Sequence, residues 1–464
     1  MKKWMTAYAV FFFLICLIPS LGMAVTKTEE SGENRTLASM PSIRTEEGVN
    51  INYLPQLGDY FQDHFGFRNE LVTANALIQG KVFGVSTADG VIQGTDGWLY
   101  YKDSLDDYLG RNLMSERGLF NVAHSLSLMQ DYTEALGVSF AFTVAPNKNS
   151  LYGEQMPYYD SLVITEDNNL ARLTGYLESE GVHYVDLYDT LKSQDEILYH
   201  ERDSHWNNKG AALAAETLMD ALNKEHTDYS EVPVEERVDY YGDLDEMLYP
   251  KAMTPETEYY YDKADIFAYV GEVESNFDPQ ITTVNPSMEN NLIMYRDSFG
   301  NALVPFFANE YGNAYFSRGV PYQMTDILNV GADTLIVERA ERFIPDMALN
   351  PPVMEGPVTA AVGEEKEAKE GLEEISIEES GIYYKITGSI SEEYLDTASE
   401  IYIKVNNDTV YEAFPVNYEK DGKTEDNGFC LYLLNTRIAE GAFEAQVIVQ
   451  DGDGYRIVAE QTVQ

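Results

Sequence analysis

Between about residues 115 and 340 the chain alternates short apolar runs with amphipathic stretches, and this alternation constrains its fold most. The apolar spacing predicts helices over 115–136, 168–180 and 210–224, and a helix start at 302–308. Gly137 closes the first of them as a C-cap. Strands are predicted over 138–145, 182–187, 292–295, 314–317 and 334–337. Strands separated by helices imply an α/β fold, with a parallel sheet and helices on both of its faces.

The flanking segments read differently. Lys2 and Lys3 precede an apolar stretch from about Met5 to Val25, the pattern of an export signal. Small residues at Gly22-Met23-Ala24 allow cleavage, yet the run is also about long enough to span a bilayer. Residues 1–25 are therefore a signal peptide or a membrane anchor, and everything after them is expected outside the cytoplasm. Residues 26–50 read as a tether. Residues 53–83 suit two helices, one ending near Gly66 and one starting near Asn69, and 91–101 suit a hairpin around Gly94-Thr95-Asp96-Gly97. The stretch 227–290 is rich in Tyr and Asp and reads as an insertion packed over the sheet edge. A solvated acidic linker is expected over 351–374, with six Glu between positions 364 and 374. Beyond it, strand-like runs near 382–386, 401–405, 428–434, 443–449 and 455–458, separated by turns at 406–408 and 451–454, suggest a β-sandwich over 375–464.

Composition excludes several function classes. Acidic side chains outnumber basic ones 78 to 31, a net charge of −47, which repels phosphate backbones and anionic lipid headgroups. A hydrophobic content of 44% argues against a disordered acidic chain, so the charge belongs on the outside of folded domains. Two cysteines, Cys16 and Cys430, rule out a disulfide framework and a Cys-rich zinc site. His200 lies five residues from His205 without further converging ligands, so no metal is expected.

In a parallel α/β sheet, sites lie beyond the carboxyl ends of the strands. Two segments there carry chemistry. In Arg202-Asp203-Ser204-His205-Trp206, residues two apart project to one side, so Asp203 can orient His205 as a general base. In Leu292-Ile293-Met294-Tyr295-Arg296-Asp297-Ser298-Phe299-Gly300, an apolar strand runs into Asp-Ser and then a helix. Such a turn exposes the Ser298 hydroxyl and aims N–H groups at an oxyanion. Asp203, His205 and Ser298 would complete an acyl-transfer triad, recognised by role and not by order. The bland readings are a solvated Asp-x-His loop and a serine N-cap.

Asp203-Ser204-His205-Trp206 followed by Gly210-Ala211 resembles the Asp-x-His-Trp signature of the AlgX/AlgJ-like SGNH hydrolases, which include alginate O-acetylation proteins and DHHW-motif proteins. Further pieces are similar in the same order: Asp63-His64-Phe65-Gly66-Phe67-Arg68, Gly94-Thr95-Asp96-Gly97-Trp98-Leu99-Tyr100, Val144-Ala145-Pro146-Asn147-Lys148 and Arg296-Asp297-Ser298-Phe299. The resemblance covers about 50–350. It implies an SGNH-type α/β catalytic domain over 51–350 in circularly permuted motif order, and acetyl transfer to exported polysaccharide through an acyl-serine. Two positions depart from the family: Ser204 stands for the second His of the DHHW motif, and Arg296 for the usual Gly before the nucleophile block.

Around the triad, Phe299, Arg318, Lys148, Trp206 and Arg342 are candidates for oxyanion or substrate binding. Arg318 and Lys148 end strands; Glu338 and Arg342 follow the strand near 335–337, in the place of the third SGNH block. Trp206 stacks on a sugar ring or, as the better reading, fixes its loop as a buried aromatic. No acetyl-CoA motif is visible, so no cofactor is expected, and a membrane O-acyltransferase partner is expected to deliver acetyl. The C-terminal domain would be an accessory module. The leading expectation is an exported O-acetyltransferase of a cell-envelope or secreted polysaccharide. A carbohydrate esterase with the same triad and a non-catalytic glycan-binding protein remain alternatives. The acid surplus favours a neutral acceptor, unless Lys148, Arg296 and Arg318 cluster at the cleft.

Overall fold

Leu292 and Met294 project to one side of a strand, Ile293 and Tyr295 to the other, and all four side chains are buried in apolar clusters. A strand apolar at every position has no face to give to water, so helices must cover both sides. The computed structural model describes residues 2–23, 37–45, 48–359, 365–367, 371–406, 409–438, 443–451 and 454–463, and it builds this arrangement. In chain order the covering helices and sheet strands are α1 (Glu116–Ala135), β1 (Ser139–Ala145), α2 (Asn169–Ser179), β2 (Tyr184–Val185), α3 (Asn208–Ala221), β3 (Ala268–Tyr269), β4 (Gln280–Val284), β5 (Asn291–Tyr295), α4 (Val304–Glu310), β6 (Asn313–Ser317) and β7 (Thr334–Ala340).

The sheet runs β2-β1-β7-β5-β6-β4-β3. Its first five strands are parallel, and β4 and β3 add antiparallel at one edge. α1 and α2 cover one face, α3 and α4 the other. The fold is thus SGNH-like α/β. Ser115 caps α1, accepting from Gly118 N–H, and Asn168 caps α2 in the same way with Ala171.

Three local expectations are corrected. The strand predicted over 182–187 shrinks to Tyr184–Val185, because Asp186 caps a short helix, Leu187–Lys192, by accepting from Asp189 N–H. The third helix starts at Asn208, two residues early, where the Asn207 side chain caps it. The 227–290 stretch does not lie over the sheet edge as a whole. Its latter part becomes the edge as β3 and β4, while Val234–Tyr240 pairs with Glu256–Tyr261 around a helix, Asp243–Leu248.

After Pro352 the described residues form a largely antiparallel nine-strand array, with Glu365–Glu367 paired parallel to Gly454–Val463; the long strand Thr409–Lys420 is shared between two halves that bury Ile386, Ile403, Phe429, Leu431 and Val447 together. Leu372–Ser380 and Thr409–Lys420 are strands there that periodicity missed, and Glu365–Glu367 puts a strand inside the expected linker. The array packs on α1 through Tyr383, Phe414, Val416 and Tyr432. Parts of the expected tether (26–36), of the linker (360–364, 368–370) and of the turns (407–408, 452–453) lie outside the described residues. Near the other terminus, the helix over Trp4–Gly22 is long and apolar enough to cross a membrane.

Candidate active site

β5 ends at Tyr295, and the chain turns through Arg296 and Asp297 into Ser298 and a 3-10 turn, Phe299–Asn301. The turn is built on buried groups. Asp297 accepts from Phe299 N–H (2.9 Å) and Ala340 N–H (2.6 Å), tying the Ser298 turn to the end of β7. Glu338, fully buried, accepts from Asp297 N–H at 3.0 Å. Burial and then the neighbouring Asp297 charge push the Glu338 carboxyl well above its usual range.

Arg296 fills the position where the family usually has Gly. It is 2% exposed, and its guanidinium donates to the carbonyls of Asp297, Asn276 and Asp278 and to Asn301 Oδ1. It clamps the Ser298 turn to the loop ahead of β4. Gly300 lets it pass: a Cβ there would stand 2.6 Å from Arg296 Cβ.

The second segment is a loop entering α3. The Ser298 hydroxyl donates to His205 Nε2 at 2.9 Å, and His205 Nδ1–H donates to Asp203 Oδ1 at 2.7 Å. The structure therefore brings Asp203, His205 and Ser298 into one chain of hydrogen bonds. Asp203 also accepts from His205 N–H (2.9 Å), Tyr240 O–H (2.9 Å) and Asp243 N–H (2.8 Å). Burial would raise its pKa, but the His205 charge and these donors hold it well below the usual carboxylate range. Burial would likewise lower the His205 pKa, and the Asp203 charge outweighs it, leaving the imidazole above its ordinary value.

Tyr240 and Asp243 were missed by sequence reasoning. Both come from the Tyr- and Asp-rich insertion, where no period or motif marks them. Asp243 Oδ2 accepts from the Ser204 hydroxyl at 2.6 Å and lies 3.7 Å from His205 Nδ1. Ser204, which replaces the family's second His, thus anchors the loop to the insertion. Asp203, His205 and Asp243 place three potential metal-ligand atoms within 4.8 Å of one another. Both imidazole nitrogens already have partners.

The remaining candidates divide. Lys148 does not line the cleft: buried behind the loop, its Nζ donates to the carbonyls of His200 (3.0 Å), Glu201 (2.9 Å) and Asp203 (2.7 Å). It is a positioning residue, because three carbonyls take its three protons. Trp206 is buried edge-on against Phe299 (5.0 Å) and is no platform for a sugar. The Phe299 N–H is taken by Asp297 and its ring packs on His205 at 4.8 Å, so Phe299 supports the imidazole and offers no oxyanion donor. Ser298 N–H has no partner among the described residues. Arg342 lies 5.6 Å over the Phe299 ring, with its Nε unpartnered, and its charge acts on His205. Arg318 is exposed, and its guanidinium bonds Phe277 O. His200 pairs with Glu258 (3.2 Å) and stacks on Tyr240.

A family model for the SGNH hydrolase-like domain of acetyltransferase AlgX matches residues 91–273, a stretch that holds Asp203 and His205 and stops short of Ser298. No curated protein matches the chain. Among solved structures, PatB1 of Bacillus cereus is 14% identical, over 55% of this chain and 96% of its own, with a TM-score of 0.44. A DHHW family protein of Eubacterium siraeum is 17% identical, over 50% of this chain and 90% of its own (TM-score 0.40). The O-acetyltransferase domain of Pseudomonas putida AlgJ is 16% identical, over 55% and 92% (TM-score 0.37). Residues 91–273 are thus similar to the SGNH hydrolase-like domain of acetyltransferase AlgX, the family that the motifs resemble.

Proposed function

We propose that this chain is an exported, serine-dependent O-acetyltransferase that acetylates a cell-envelope or secreted polysaccharide. The observation that carries the reading is the His205 imidazole, 2.7 Å from Asp203 and 2.9 Å from Ser298. The Ser298 oxygen attacks the acetyl carbonyl of a donor while its proton passes to His205 Nε2. The tetrahedral oxyanion collapses, the donor's leaving oxygen takes that proton, and acetyl remains on Ser298. A sugar hydroxyl then attacks the acetyl-serine, giving its proton to His205, which returns it to Ser298 as the ester leaves. Asp203 orients the imidazole and stabilises the imidazolium. Ser298 N–H and Arg342 are the candidates for stabilising the oxyanion.

The match to an acetyltransferase family model supports acetyl chemistry. The acceptor in this reading is neutral: the chain carries −47, and Lys148 and Arg296 spend their donors on buried carbonyls. The acetyl donor is a membrane O-acyltransferase, in keeping with the membrane-length helix Trp4–Gly22.

The test is release of nitrophenol from nitrophenyl acetate, with and without a neutral glycan acceptor. Ser298→Ala and His205→Ala should each lower the rate by about 10³-fold or more. Unchanged rates in both variants would remove the triad. Acetate release indifferent to acceptor, with no acetylated glycan, would make the protein an esterase.

A further inference from the structure

Two helices ahead of the sheet, Tyr53–His64 and Arg68–Phe83, have an inner and an outer face of opposite character. On the second, Thr73, Ala76 and Gly80 turn inward. Thr73 Oγ1 accepts from Lys251 N–H (3.0 Å), Ala76 is buried with Val91, Leu99, Leu244 and Leu248, and Gly80 closes on Gln93 and Tyr249. On the opposite face Leu71, Ile78 and Val82 follow at intervals of seven and four, one stripe of a helix. They are 50%, 58% and 67% exposed. The first helix repeats the pattern with Leu54, 76% exposed, and Phe61 seven residues on. Large aliphatic side chains in line on a water-facing helix mark an interaction surface.

Two observations identify its occupant. The membrane-length helix ends on this segment: Gly66, between the two helices, donates its N–H to Pro19 O at 2.8 Å. The approach needs glycine, because a Cβ on Gly66 would stand 2.4 Å from Gly22 Cα. The fold therefore holds a seat for the end of the N-terminal helix, which a cleaved signal would leave empty. The second observation is charge. Residues 53–83 hold three acids (Asp59, Asp63, Glu70) and two bases (Arg68, Lys81), a net charge of −1 in a chain of −47. A strongly acidic surface would be repelled by anionic lipid headgroups, and here acid and base nearly balance.

We propose that the outer stripe of these two helices lies in the bilayer interface, beside an N-terminal helix that stays attached as an anchor. Amphipathic helices of this kind bury their apolar face at the headgroup boundary. The inner face carries the consequence. It packs on Leu244 and Leu248, whose helix (Asp243–Leu248) begins with the residue that donates its N–H to Asp203. The catalytic loop is thereby held at a short, fixed remove from the membrane surface.

The test uses the full chain in phosphatidylcholine vesicles, with single labels at Leu71→Cys, Ile78→Cys or Val82→Cys in a Cys16→Ser background. Each carries an environment-sensitive fluorophore, and nitroxide-bearing lipid is the quencher. The reference is Leu328→Cys, exposed on a helix whose end bonds the start of β5, opposite the Ser298 end of the sheet. Labels on the stripe should be quenched several-fold more than the reference. Ester hydrolysis by each labelled protein reports that it is folded. Quenching no greater than at the reference overturns the proposal. So does a label that is shielded from water but untouched by lipid nitroxide, which would place a protein partner or a second copy there.

Discussion

Asp203 accepts four hydrogen bonds, two from His205 and one each from Tyr240 and Asp243. A carboxylate so saturated stays ionised and fixes the imidazole in the tautomer that leaves Nε2 free for Ser298. Because His205 is held above its ordinary pKa by the Asp203 charge, it becomes protonated, and useless as a base, as pH falls through that raised value. The acid limb of the rate profile should therefore lie above the usual histidine range. Tyr240→Phe removes one donor, leaves the carboxylate more basic, and so favours the imidazolium further. We expect kcat/KM to fall about fivefold, the worth of roughly 1 kcal/mol, and the acid limb to move to higher pH. A lower rate with an unmoved limb would make Tyr240 merely structural.

At the scale of elements, the loop 200–206 that carries Asp203 and His205 has no regular structure of its own and is held from three sides. Lys148 caps its carbonyls from the start of the helix after β1, and Leu99 N–H, from the hairpin, donates to Glu201 O at 2.8 Å. From the insertion, Glu256 accepts from Glu201 and Arg202 N–H, and Arg202 pairs with Asp245. The tightest of these contacts is at Gly242, where a Cβ would stand 2.3 Å from Arg202 O. Gly242→Ala should therefore push the insertion off the loop. We expect a loss of roughly 2 kcal/mol in stability, as for other overpacked sites, and an activity loss larger than Tyr240→Phe gives. Thermal denaturation beside the esterase assay checks it; wild-type values in both would mean that the insertion does not brace the loop. The Asp-x-His-Trp and Asp-Ser-Phe segments were legible because their spacing is local. The brace was not, since Tyr240 and Asp243 meet Asp203 from about 40 residues away, in a stretch without period.

At the scale of the molecule, the C-terminal array is docked on α1 by polar pins around an apolar seam. Arg117 donates to the carbonyls of Asp396, Thr397 and Ser399, and Asn121 to Asn417. His124 bonds Glu180 on one side (2.8 Å) and Glu412 of the array on the other (2.9 Å). Burial opposes its charge, but the two carboxylates prevail and raise its pKa to about 9. A folded pKa above the unfolded 6.5 contributes stability that is complete below 6.5 and lost as pH rises to about 9. The melting temperature of wild type should therefore fall across that window, with on the order of 3 kcal/mol at stake. His124→Gln should be less stable at pH 6 and nearly insensitive over the same range. Parallel curves for the two proteins would refute the pin.

What the sequence determined by itself is what local pattern controls: the alternating α/β core, the Gly137 helix end, the hairpin, the β-rich C-terminus and the Asp203, His205 and Ser298 candidates. These follow from periodicity and short spacings, which act between near neighbours. Only tertiary structure decided which charges face the cleft. Lys148 and Arg296 look in the sequence like cations for a substrate, yet burial turns both into clamps on backbone carbonyls. It also decided that the irregular insertion closes the sheet edge and braces the Asp203 carboxylate. Burial and long-range hydrogen bonding assign those roles, and neither leaves a periodic mark in the chain.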